Sequence, residues 1–148
     1  AAEQGYAKAQ YNLGVMDEKG LGVPQIYKEV IKWWIASAEQ GYDLAQFSLG
    51  LRYYKGQGVR RDYKESVKWY RLAAEQGYSK AQYNLGQMYR KGEGVIQDYV
   101  MAHMYFNLSS SNGDKDAIQG RGIVETVMTS SQLEKAQDLA REWMRNHQ

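Results

Sequence analysis

The stretch Ala38-Glu39-Gln40-Gly41-Tyr42-Asp43-Leu44-Ala45-Gln46-Phe47-Ser48-Leu49-Gly50 decides how this chain folds, because the chain contains it three times. Residues 2–14 and 74–86 repeat it without a gap: Ala-Glu-Gln-Gly-Tyr, two variable residues, then Ala-Gln, an aromatic, a polar residue and Leu-Gly. A further landmark keeps the same register as Gly20-Leu21-Gly22-Val23, Gly56-Gln57-Gly58-Val59 and Gly92-Glu93-Gly94-Val95. The spacing is 36 residues throughout. A fixed period of this length marks a stack of supersecondary units, each burying its apolar face against its neighbours.

Each unit reads as two antiparallel helices. The first is predicted over Ala7–Lys19, Asp43–Lys55 and Ser79–Lys91, and the second over Tyr27–Gln40, Tyr63–Gln76 and Tyr99–Ser111. At 100° per residue, Ala9, Leu13, Met16 and Asp17 share one side of the first helix, and Lys8, Asn12, Val15 and Lys19 the other. The second helices carry Tyr27, Ile31 and Trp34, then Tyr63, Val67 and Tyr70, then Tyr99 and Phe106 on their apolar faces.

Punctuation agrees with that division. Asp62 and Asp98 precede second helices and can accept from their free N–H groups, whereas unit one has Ile26 there, with Pro24 nearby. Gly5, Gly41, Gly77 and Gly113 fall just past the second helices, where a left-handed residue is wanted. The Gly-x-Gly pairs turn the chain inside each unit. Gly14, Gly50, Gly86 and Gly122 lie within helices, where glycine costs about 1 kcal/mol relative to alanine. Close approach of a partner helix is the expected compensation. Of the 15 glycines, Gly120 alone is out of register.

The fourth copy decays after Gly113, with Arg121 where Leu13 stood and no Gly-x-Gly turn. Thr129-Ser130-Ser131-Gln132 has the form of a capping box. The helix after it, to about Asn146, has Leu133, Ala136, Leu139, Ala140 and Trp143 on one face and charged or amide side chains on the other. This is the expected end of an array: one side buried, one side wet. The expected organisation is therefore the end of a unit at 1–5, repeats at 6–41, 42–77 and 78–113, a divergent partial repeat at 114–128 and a capping helix at 129–148. Residues Ala1–Gln4 match the end of a unit, so the chain is expected to be a piece of a longer protein.

These residues resemble the Sel-1-like repeat family. Unit two carries its pattern at Ala45, Leu49-Gly50, Tyr53, Gly56-Gln57-Gly58-Val59, Asp62, Trp69-Tyr70, Ala73-Ala74 and Gly77, and the resemblance covers about residues 1 to 120. Met128-Thr129 with Gln132, Ala136 and Gln137 looks like the ending of bacterial members. The resemblance implies an all-α fold, an α/α superhelical solenoid similar to tetratricopeptide arrays, with first helices on the concave side. It also implies a role as adaptor or scaffold in protein–protein interaction. One cysteine-rich bacterial branch, which uses paired cysteines, has been linked to β-lactam binding or hydrolysis. That alternative is not carried over, because this chain has no cysteine. Asp17, Glu18 and Ile26 depart from the pattern in the first unit.

Composition narrows the remaining options. A net charge of +2 gives no footprint for nucleic acid, and no run of 18 apolar residues spans a membrane. Zero cysteine removes disulfides and thiolate chemistry and leaves the compartment open. His103 holds the register position of Ile31 and Val67 and is expected to pack between helices; His147 sits in the tail. Two histidines without a carboxylate at ligand spacing make no metal site, so no metal or cofactor is expected. Asp17 and Glu18, adjacent on a helix, diverge by about 100° and do not converge for acid–base work. The Gly-x-Gly turns lack the preceding strand of a dinucleotide site. No catalytic residues are expected.

The surface left for a partner is the outer face of each first helix: Lys8, Asn12, Val15 and Lys19; Leu44, Ser48, Leu51 and Lys55; Lys80, Asn84, Gln87 and Lys91. A Lys and an Asn one turn apart suit a carboxylate and a peptide backbone, and Leu44 with Leu51 makes an apolar spot for a peptide side chain. The expected partner is a protein or peptide. Arg52, Lys55, Arg60, Arg61 and Lys64 form a basic cluster, read as a solvated turn or, alternatively, a docking spot for an acidic partner. Self-association through Tyr6, Ala9, Leu13 and Met16 at the first unit's edge is a further expectation.

Overall fold

The computed structural model describes residues 7–12 and 26–148, the side chains at 26 and 27 excepted. Residues 7–12 are helical and are called α1. There follow α2 (Ile26–Glu39), α3 (Asp43–Lys55), α4 (Tyr63–Glu75), α5 (Ser79–Lys91), α6 (Tyr99–Ser111), α7 (Lys115–Glu125) and α8 (Ser130–Asn146). No strand occurs among the described residues. The chain divides into two compact units, Ala1–Gln76 with α1–α4 and Gly77–Gln148 with α5–α8.

Local chemistry sets the helix limits. The Asp62 carboxylate accepts from the backbone N–H groups of Lys64 and Glu65, and Asp98 accepts from that of Met101. Helices α3 and α5 start without a side-chain cap, and each ends on a left-handed glycine, Gly56 and Gly92. Gly77 and Gly113, at φ +87° and +89°, follow the Gln76 and Asn112 C-caps. Thr129 and Gln132 form the reciprocal capping box at the start of α8. The landmarks at Gly5, Gly14, Gly20 and Gly22 lie outside the described residues.

In the first unit, α3 and α4 run antiparallel. The Asp62 N–H donates to the Tyr53 carbonyl at 2.9 Å, the Ser66 hydroxyl to the Gly50 carbonyl at 2.7 Å, and the Gln76 amide to Gln46 Oε1 at 2.9 Å. Numbers fall on one helix as they rise on the other. The Gln46–Gln76 bridge has a counterpart between Gln10 and Gln40, again 30 residues apart. The core of this unit gathers Val30, Ile31, Trp34 and Ala38 from α2, Ala45 and Leu49 from α3, and Trp69 from α4. Ala9, expected at the uncovered edge of the first unit, is exposed, whereas its counterpart Ala45 is buried. Ala45 packs against the preceding second helix, α2, and no described helix precedes α1.

The second unit repeats the antiparallel pair in α5 and α6, where the Asp98 N–H donates to Tyr89 O at 2.9 Å and the Ser79 and Ser109 hydroxyls stand 3.0 Å apart. Its core joins Ala102, Phe106 and Val124. Both α7 and α8 pack on α6. On α8, Ala136 and Ala140 are buried, Leu133, Leu139 and Trp143 are half-buried, and the charged face is exposed, as the apolar pattern predicts.

The mid-helix glycines are seats for aromatic rings. A Cβ at Gly50 would fall 2.5 Å from the Tyr70 ring, and one at Gly86 would fall 2.7 Å from Phe106. The fourth copy breaks the expected pattern. Gly122, in register, has nothing within 4 Å of its Cβ position, whereas Gly120, out of register, would meet the Phe106 ring at 3.0 Å. Helix α7 thus offers a different face to α6 than its repeat position implies.

Three substitutions separate these roles. Gly50→Ala and Gly86→Ala should each lower stability by about 1–2 kcal/mol, since overpacking outweighs the propensity gain. Gly122→Ala should raise it by up to ~1 kcal/mol. Denaturant unfolding of the three proteins measures all of this. Thr129→Ala should cost roughly 1 kcal/mol by the same assay, through loss of the α8 cap.

Candidate partner-binding surfaces

The outer residues of the first helices are not equally available. On α1, Lys8 and Asn12 are exposed one turn apart, while Val15, with Tyr6, Leu13 and Met16 of the expected self-association edge, lies outside the described residues. On α3, Leu44 and Leu51 are half-buried. Ser48, expected on the outer face, is buried, and its hydroxyl stands 3.1 Å from the Tyr11 hydroxyl. The reason is that α1 lies against α3 at this level. Tyr11 stacks on Trp34 at 5.5 Å, meets Tyr42 edge-on at 5.4 Å and so brings its hydroxyl over Ser48. On α3, half-buried Leu44 and Leu51 therefore flank a serine already engaged by Tyr11.

In the second unit Lys80 is exposed and Asn84 half-buried. The Gln87 amide is held on both sides, donating to the Tyr83 hydroxyl at 2.8 Å and accepting from Arg90 Nε at 2.8 Å. Lys80 with Asn84 repeats the Lys8 with Asn12 arrangement of the first unit.

The basic cluster is partly absorbed by packing. The Arg52 guanidinium lies 5.1 Å over the Trp34 ring and donates to Gln57, and that of Arg61 lies 5.0 Å over Tyr63. Lys55, Arg60 and Lys64 remain exposed.

His103 is buried between helices as expected, at 1% exposure. Its Nε2 meets Glu125 Oε1 at 2.9 Å, a carboxylate that sequence spacing gave no reason to place there. Arg121 reaches the same carboxylate at 4.0 Å, and no cluster of three or more metal-ligating side chains occurs among the described residues. His147 stacks on Trp143 at 3.7 Å rather than standing free.

One feature escapes the sequence pattern. In the first unit an open cleft of about 690 Å³ lies between the end of α2, α3 and α4. Ile35, Ala38, Trp69 and Leu72 give it apolar walls, and Glu39, Glu65, Lys68 and Tyr53 line it with polar groups. The Gln46 amide, which also borders it, donates to Ala38 O and accepts from the Gln76 amide. Burial, then the carboxylates of Glu65 and Asp62, push the Tyr53 hydroxyl above its ordinary pKa of 10.0. The signal available in the sequence was the series Trp33, Trp69 and Tyr105 at one repeat position. Periodicity marks such a series as core and says nothing of the space beside it.

The Sel1 repeat pattern matches residues 7–42, 43–78 and 79–114. The chain belongs to the Sel1 repeat family. Family repeats of this kind generally form non-catalytic helical scaffolds that mediate protein interactions. This Sel1 repeat protein is similar, at 38% identity and a TM-score of 0.88 over 99% of its length, to a protective antigen present in uropathogenic Escherichia coli strains that displays an SLR fold. It is similar to a Sel1 repeat protein from Oxalobacter formigenes at 38% identity and a TM-score of 0.74 over 79% of its length. The chain spans 31% and 48% of the lengths of these two proteins. Helicobacter pylori cysteine rich protein B shares the fold at 21% identity and a TM-score of 0.59, over 62% of this chain and 68% of its own. That likeness is of fold alone and gives the β-lactam alternative no support. No curated protein matches the chain.

The raised Tyr53 pKa carries a sign. The folded state holds the phenol proton more tightly than the unfolded state, so the contribution is complete below pH 10.0 and is lost as pH rises through the folded value. Thermal melts between pH 8 and pH 11 should show stability falling at the alkaline end. The fall should be smaller in Tyr53→Phe.

Proposed function

We propose that this protein is a non-catalytic scaffold that holds protein or peptide partners on the outer faces of its first helices. Family membership supports the scaffold class. The observation that carries the finer reading is a repeated surface. Exposed Lys8 and Asn12 on α1 and the pair Lys80 and Asn84 on α5 occupy equal repeat positions, and on α3 half-buried Leu44 takes the lysine position with half-buried Leu51 two turns on. An ammonium beside an amide suits a peptide carboxylate and its backbone, while a half-exposed leucine pair suits an apolar side chain. Gln87 supports this surface by fixing Tyr83 and Arg90 rather than by meeting the partner itself. Interfaces of this kind concentrate their energy in a few anchors.

Affinity capture with the intact chain, compared with Leu51→Glu and Asn84→Ala, tests the proposal. The expected result is a protein retained by the parent chain and lost, or retained at least ten-fold less, by one of the two variants. Equal retention of every captured protein by all three would refute the first-helix assignment. Sustained turnover of any substrate by the purified chain would overturn the non-catalytic reading.

A further inference from the structure

The cleft of the first unit is built unlike the first-helix faces, and its chemistry selects a ligand of its own. Its rim carries two carboxylates, Glu39 and Glu65, against one ammonium, Lys68. Lys68 does not pair with either acid; its Nζ lies 4.7 Å over the Trp69 ring. The electrostatic surplus is negative, and the face of an indole is itself a seat for a cation. Beside this seat, Leu72 is 42% exposed on α4, although a leucine in that position gains from being covered.

Trp69 supplies the second observation. It is 5% exposed, it lines the cleft, and its indole N–H is buried without a hydrogen-bond partner. A buried donor left unmade is costly, and the acceptor that would satisfy it need not come from within the chain. Two rim carboxylates disfavour an anionic acceptor, so a neutral carbonyl fits best. The N–H is shut off from solvent. Lys68, whose ammonium stands over the same indole, is an exposed side chain that an incoming cation can displace.

We propose that this cleft receives an extended peptide segment with a basic side chain next to an aliphatic one. The guanidinium or ammonium takes the place of Lys68 over Trp69 and between Glu39 and Glu65. A peptide carbonyl accepts from the Trp69 indole N–H, and the aliphatic side chain covers Leu72. The site is separate from the first-helix faces, so it does not rest on the function proposed for them.

The indole N–H resonance of Trp69, assigned by its absence in Trp69→Phe, reports directly on the site in ¹H–¹⁵N spectra. The probe is a capped pentapeptide mixture with arginine at the centre and leucine, isoleucine, valine or phenylalanine on each side. A matched mixture with glutamate at the centre is the control. The expected result is a saturable shift of the Trp69 indole signal with the arginine mixture and none with the glutamate mixture. The double variant E39Q/E65Q, which alters only rim groups, should weaken the arginine response at least five-fold. Absence of any indole shift at millimolar peptide, an equal response to the glutamate mixture, or unchanged binding by E39Q/E65Q would each overturn the proposal. So would an indole signal that moves with the concentration of the protein alone, since a second copy would then be the occupant. Leu51→Glu should leave the response intact, which separates this test from that of the first-helix faces.

Discussion

The antiparallel pairs α3–α4 and α5–α6 each depend on the seating of one aromatic ring of the second helix on a glycine of the first. Tyr70 lies on Gly50 and Phe106 on Gly86 at distances a methyl group would violate. The glycines weaken their own helices, by about 1 kcal/mol each relative to alanine, and the close approach offsets this by burying a whole ring. Tyr70 and Phe106 are among the largest fully buried side chains in the protein. The seat also fixes rotation: once the glycine faces its partner, the residues on the opposite side of the first helix must face away.

Polar groups then lock the register that the rings permit. Ser66 satisfies the Gly50 carbonyl, so the same glycine serves as a steric and a hydrogen-bonding contact. Glutamine bridges 30 residues apart tie a first helix to the end of its second at Gln10–Gln40 and Gln46–Gln76, and Ser79–Ser109 does the same in the second unit. These contacts are buried or half-buried, where an unpaired amide would be costly. They fix how far along each other the two helices of a pair sit.

Most of this was legible in the residues, for reasons that are local. Glycine at positive φ, aspartate before a helix and Thr129 with Gln132 act within one turn of chain, so spacing alone discloses them. What spacing could not disclose depends on which helix covers which. Ser48 looks outward on a helical wheel and is buried because Tyr11 reaches it from α1. Gly122 keeps the repeat register while Gly120 makes the contact, because α7 meets Phe106 with a different face. The Glu125 partner of His103 and the Trp69 cleft are likewise tertiary, formed by side chains brought together from separate helices.

The most direct measurement is a double-mutant cycle on Gly86→Ala and Phe106→Leu, read by denaturant unfolding of the whole chain. If the ring is seated on the glycine, shrinking it relieves the added methyl, and the two changes together should cost at least ~1 kcal/mol less than their sum. Additivity within about 0.5 kcal/mol would contradict the account, because the glycine would then owe its place to something other than the ring.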